Sequence, residues 1–180
     1  MAVLIFPDNT ALINFAIINR MDLLSRLANG NGRWCATVSI ECARSARVPG
    51  LAALDDAPEI FGEPLFPDDA ELQDVRVLRD ELASPGDQPS KHLGEAETLA
   101  IVARRHLNCF FVTDDRDAAR LANKHGVRAV DTWRLLSVAY RKDWLDADTL
   151  WGYVQTLQGR SRGAPRGVSD RLSFDKWLAT

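Results

Sequence analysis

Short apolar runs alternate with helix-patterned segments along the chain, and the clearest runs stop abruptly on acidic residues. Val3-Leu4-Ile5-Phe6 ends at Pro7-Asp8, and Asn108-Cys109-Phe110-Phe111-Val112-Thr113 ends at Asp114-Asp115. Runs this short and apolar throughout suit strands covered on both faces, as in parallel sheets. Parallel neighbours need long crossovers, usually helical. Residues 34–38 and 127–130 read as two further strands. Between the first run and residues 34–38, Leu12, Ile13, Ala16, Ile17, Leu23, Leu24 and Leu27 recur at helical spacing until Asn29-Gly30-Asn31-Gly32, with Asn9 or Thr10 as the cap. Further helices are expected from Ser39 to about Arg47 and over residues 69–82, 94–106, 118–124, 132–141, 146–157 and 169–178. The alternation predicts an α/β protein with a parallel sheet covered by helices on both faces.

At 180 residues the chain has the length of one domain with a small appendage. With 46 % apolar residues it can close a core without disulfides. No stretch approaches the roughly 18 uninterrupted apolar residues of a membrane span. The opening residues carry no basic leader and too short an apolar run for a signal peptide, so a cytoplasmic location is expected. Cys35, Cys42 and Cys109 show no CxxC or histidine-rich spacing and read as small buried hydrophobes. Against 25 acidic side chains stand 22 basic ones, a net charge of −3, so a polyanionic partner must meet a local basic patch.

In open α/β sheets ligands bind outside the carboxyl ends of the strands. Asp8 and the Asp114-Asp115 pair fall at such ends. Each alone is equally well read as a helix cap that offsets the macrodipole. Two acidic clusters at one sheet edge repel, however, and require a cation to offset them. Oxygen donors without a nearby His or Cys point to Mg²⁺ or Mn²⁺. Glu95 and Glu97 share the first turn of a helix, and being two apart they face different ways, so only one can join the cluster. Glu41 lies on the first turn of the helix after the second strand, where its spacing alone suits a solvated side chain at least as well.

The segments Asp8-Asn9-Thr10-Ala11-Leu12-Ile13, Val38-Ser39-Ile40-Glu41-Cys42, Gly94-Glu95-Ala96-Glu97-Thr98-Leu99-Ala100 and Val112-Thr113-Asp114-Asp115-Arg116-Asp117 resemble, in order, the four acidic motifs of PIN-domain nucleases. Asn9 stands where Thr is usual, and the long stretch over residues 51–88 departs from the pattern. The resemblance covers roughly residues 1–140 and implies a three-layer α/β/α fold: a PIN-like domain over residues 1–141, with extra C-terminal helices over 142–180 packed on it. It also implies a metal-dependent endoribonuclease acting on single-stranded or loop RNA, as in VapC-type toxins, which pair with a small antitoxin and are usually homodimeric. Carried over by position, Asp8, Glu41, Glu97 and Asp115 form the catalytic quartet. Asp8, Glu97, Asp115 and Asp114 would hold Mg²⁺ or Mn²⁺, supported by Thr10, Glu95 and Asp117.

Arg116 and Arg120 lie four apart on one helix face and are candidate RNA contacts, with Arg104, Arg105 and Lys124 extending the rim or simply forming a solvated face. His92, His106 and His125 read as surface residues. Arg160, Arg162 and Arg166 sit in a glycine-rich stretch expected to be mobile, either a linker or a phosphate-tracking arm. Trp133, Trp144, Trp151 and Trp177 read as core or dimer anchors. A phosphoryl-accepting aspartate is disfavoured, since the phosphatase form needs a second Asp where Thr10 stands. The remaining alternative is a non-catalytic PIN-like module that binds RNA or protein.

Overall fold

The computed structural model describes residues 3–179. Its sheet has three parallel strands, β1 (Leu4–Pro7), β2 (Cys109–Val112) and β3 (Arg128–Val130), in the order β1-β2-β3. Leu4 pairs with Cys109 and Pro7 with Val112, while Phe110 pairs with Arg128 and Val112 with Val130. The hydrogen bonding continues past the strands: the Asp8 N–H donates to the Val112 carbonyl at 2.8 Å, and the Thr113 N–H to the Val130 carbonyl at 2.9 Å. The acidic residues therefore leave the sheet from one shared edge.

Among the described residues ten α-helices accompany the sheet: α1 (Asn9–Ile17), α2 (Met21–Ala28), α3 (Ala36–Ser45), α4 (Ala57–Phe61), α5 (Asp69–Leu82), α6 (Leu93–Arg104), α7 (Arg116–Lys124), α8 (Thr132–Arg141), α9 (Ala147–Gly159) and α10 (Arg171–Leu178). A 3-10 turn at Ala52–Asp56 precedes α4. Side chains alternate across a strand, and here the alternation separates two cores. Ile5 and Val112 join α1, α2, α3 and α8 on one face, whereas Phe6, Cys109 and Phe111 join α5, α6 and α7 on the other. This gives helices on both faces of a parallel sheet. Leu150, Val154 and Leu157 of α9 and Phe174 of α10 belong to the first core. Trp151 and Trp177 flank Phe174, with ring centroids 5.1 and 5.8 Å away, and Trp144 lies under the Arg26 guanidinium at 3.9 Å. All three cysteines are free and buried. Among the described residues no helix is long and apolar enough to cross a membrane.

Helices α5 and α8 occupy the expected ranges. In α5 the reason is local: Asp68 and Glu71 form a capping box, each side chain accepting from the other's backbone N–H at 2.8 Å. The expected strand over 34–38 is absent. Cys35 makes only an isolated bridge to Leu65, and α3 begins at Ala36 rather than Ser39. The long helix expected through residue 27 is two helices. Asn19, at φ +53°, ends α1 in a Schellman turn in which the Arg20 N–H reaches the Phe15 carbonyl and the Asn19 N–H reaches that of Ala16, both at 2.9 Å. The N-cap of α1 is Asp8 and not Asn9 or Thr10, and its side chain makes no cap hydrogen bond. The edge of the sheet beyond β1 is extended by Gly32, whose neighbours bond Ile5 on both sides. A Cβ at Gly32 would lie 2.7 Å from the Ile60 carbonyl, so this approach requires glycine.

Candidate metal centre

Four chain segments bring carboxylates to the shared edge of the sheet. Asp8, directly after β1, is 2 % exposed. Its Oδ2 accepts from the hydroxyls of Thr10 and, at 3.2 Å, Thr113. Burial pushes the Asp8 carboxyl up from its ordinary value, although those hydroxyls pull the other way. Asp115, after β2, caps α7: its Oδ1 accepts from the N–H groups of Asp117 at 2.7 Å and Ala118 at 2.9 Å.

Glu95 and Glu41 complete the group from α6 and α3. Burial, followed by the charge of Asp8, pushes Glu95 up; His92 acts in the opposite direction. Glu41 is pushed up to about 7 by burial and then by the charges of Glu95 and Asp8. Helices α3 and α6 meet at Gly94, where an added Cβ would stand 3.0 Å from Val38 Cγ2 and 3.2 Å from Glu41 Oε2. Glycine at this point lets the Glu41 carboxylate lie against the start of α6.

Three of these carboxylates are thus held in a setting that disfavours their charge, while all four lie at one edge. Such a group is stabilised by a cation. Carboxylates grouped in this way could hold a metal ion.

The other expected residues lie elsewhere or serve other contacts. Glu97 is 6 % exposed, and its carboxylate accepts from Thr37, from the backbone N–H at 3.0 Å and the hydroxyl at 2.6 Å. Asp114 turns toward α1 and α8, where it accepts from Asn14 Nδ2 at 2.7 Å, the Thr132 N–H at 3.0 Å and the Thr132 hydroxyl. Asp117 is exposed and pairs with Arg120 at 3.0 Å. Arg104, Arg105 and Lys124 pair with Asp74, Glu71 and Glu81 at 2.6–2.7 Å, which ties α6 and α7 to α5.

His92 was not expected here. Its side chain is 10 % exposed, with Nδ1 3.6 Å from Glu95 Oε1 and Nε2 3.7 Å from Asp87 Oδ2. One donor atom from each of His92, Glu95 and Asp115 lies within 4.8 Å of the other two. The sequence signal that could have found it is His-x-x-Glu at a helix start, since residues three apart share a helix face.

A groove of about 590 Å³ leads away from Asp115 and is lined by Arg116, Arg162 and Arg166 beside Trp133. It adjoins a cleft of about 780 Å³ that adds Arg128, Arg134 and Arg141. The arginine-bearing stretch expected to be mobile is pinned at its centre: Arg162 donates to Asn14 Oδ1 at 2.7 Å and to the Thr10 carbonyl at 2.9 Å. Comparison of the chain with protein-family models and with curated proteins found no match.

Proposed function

We propose that the chain is a metal-dependent endoribonuclease of the PIN type that cuts single-stranded or loop RNA. The observation that carries this reading is the convergence of Asp8, Glu41, Glu95 and Asp115 from four segments at one sheet edge, three of them with raised carboxyl pKa values. Asp8, Glu95 and Asp115 would hold Mg²⁺ or Mn²⁺, which supplies a water of lowered pKa and offsets charge on the scissile phosphate. Thr10 and Thr113 orient Asp8, while the caps that Asp115 makes to α7 fix its carboxylate. Glu41, whose carboxyl feels the charges of Glu95 and Asp8, would orient a water beside the ion. Arg116 and Arg166, exposed in the groove beside its carboxylates Asp114, Asp115 and Asp131, would supply the phosphate contacts that a chain of net charge −3 needs in order to bind RNA. Pairing with a small antitoxin and homodimer formation belong to the same proposal, and co-purification and sedimentation test them.

The experiment is cleavage of a mixed-sequence single-stranded RNA with Mg²⁺, Mn²⁺ or EDTA, comparing wild type with Asp8→Asn and Asp115→Asn. Metal-dependent cleavage that disappears in both variants is expected. Absence of cleavage together with absence of metal binding by calorimetry would replace this reading with a non-catalytic module that binds RNA or protein.

A further inference from the structure

We infer that His92 is a ligand of the carboxylate centre, positioned by Asp87, so that the site prefers a divalent transition-metal ion to Mg²⁺. The inference rests on the metal-centre reading above.

The first observation is a missing partner. His92 Nδ1 is buried and has no hydrogen-bond partner, although the ring is only one-tenth exposed. A buried polar atom without a partner loses its hydration and gains no bond in return, so it calls for an explanation. Nδ1 faces the acids, 3.6 Å from Glu95 Oε1, which is long for a hydrogen bond. Two donors that share one ion at about 2.1 Å each stand roughly 3.0–3.4 Å apart. The observed separation therefore lies close to that of a ligand pair.

The second observation lies behind the ring. Metal-bound imidazoles usually present their other N–H to a carboxylate, which sets the tautomer and the ring orientation. On this side Nε2 faces Asp87 Oδ2 at 3.7 Å, which is also long for a hydrogen bond. Asp87 is itself fixed, by Lys91 Nζ at 2.7 Å and by the Ser84 N–H at 2.9 Å. The order Asp87, His92, then the acids is the arrangement expected around a nitrogen ligand. An imidazole among carboxylates shifts preference from Mg²⁺ toward Mn²⁺ and the later divalent ions, because Mg²⁺ favours oxygen donors.

Mn²⁺ added to the full chain tests this by electron paramagnetic resonance. Wild type should show nitrogen modulation of the Mn²⁺ spin echo that changes on ¹⁵N-histidine labelling. His92→Ala should abolish the modulation and weaken Mn²⁺ binding about tenfold or more, with less than a threefold change for Mg²⁺ measured by competition. Asp87→Asn should retain the modulation while weakening Mn²⁺ binding by roughly tenfold. If His92→Ala does not fold, the isotope effect in wild type decides, with His106→Ala and His125→Ala as controls that should retain the signal. Bound Mn²⁺ without nitrogen modulation would overturn the role of His92 and leave the carboxylate centre standing. Failure of wild type to bind Mn²⁺ at all would overturn both.

Discussion

The Glu97 carboxylate grips Thr37 twice, at the backbone N–H and at the hydroxyl, and so joins α6 to the first turn of α3. A carboxylate there satisfies an amide that the helix leaves free and meets the positive end of its dipole. Its neighbour Glu95 points instead toward the acids. Glu97→Ala should therefore destabilise the protein by about 1–3 kcal/mol in urea unfolding. Glu95→Gln should have the opposite sign without metal, since it removes a repulsive charge, and should weaken Mn²⁺ binding. An exchange of the two phenotypes would exchange the two roles.

Glu41 makes the metal-free protein pH-sensitive. Its folded pKa of about 7 lies above the ordinary 4.5, so between those values the folded state binds more protons than the unfolded state. Stability from this group is then present at low pH and is lost as pH rises through that window. Asp8 and Glu95, also raised, act in the same direction. Allowing for solvent screening, the loss due to Glu41 is about 1–2 kcal/mol, or roughly 2–8 °C in Tm. Thermal scans in EDTA from pH 4.5 to pH 8 should show this fall. Saturating Mn²⁺ should oppose it, and Glu41→Gln should reduce it.

The contact at Gly94 couples helix packing to the site. In Gly94→Ala the new methyl group meets Val38 Cγ2 at 3.0 Å and Glu41 Oε2 at 3.2 Å, so α3 must move or Glu41 must turn away. Overpacking of this kind costs about 1–3 kcal/mol. The variant should be less stable in chemical denaturation and should bind Mn²⁺ more weakly. Unchanged metal affinity with reduced stability would place Glu41 outside the ion's reach.

Arg162 and Arg166 should separate into a structural and a binding role. Arg162→Ala removes the bonds to Asn14 and Thr10, so hydrogen exchange over residues 159–168 should accelerate and stability fall by about 1–3 kcal/mol. Arg166 is exposed at the groove, as is Arg116. Arg116→Ala and Arg166→Ala should leave stability unchanged and weaken RNA binding. Each should lower the slope of log affinity against log salt by about 0.7, the single-strand value per phosphate contact. Filter binding in EDTA measures that slope without cleavage.

The α/β class, the extent of α5 and α8, and the acids at the ends of β1 and β2 are legible in the order of the residues alone. Each of these follows from signals within a few residues of one another: apolar runs stopped by Asp8 or Asp114, and a capping box formed by Asp68 and Glu71. Tertiary structure decided the start of α3, because part of its first turn is satisfied by Glu97, sixty positions along the chain. It also decided that Glu95 lies beside Asp115 and His92 while Glu97 is bonded to Thr37, and that Asp114 is taken up by Asn14 and Thr132. His92 escaped the sequence reading for the same reason. Its burial between Asp87 and Glu95 depends on how the 83–92 segment folds against α6, and the orientation of a side chain there is set by partners that spacing cannot reveal.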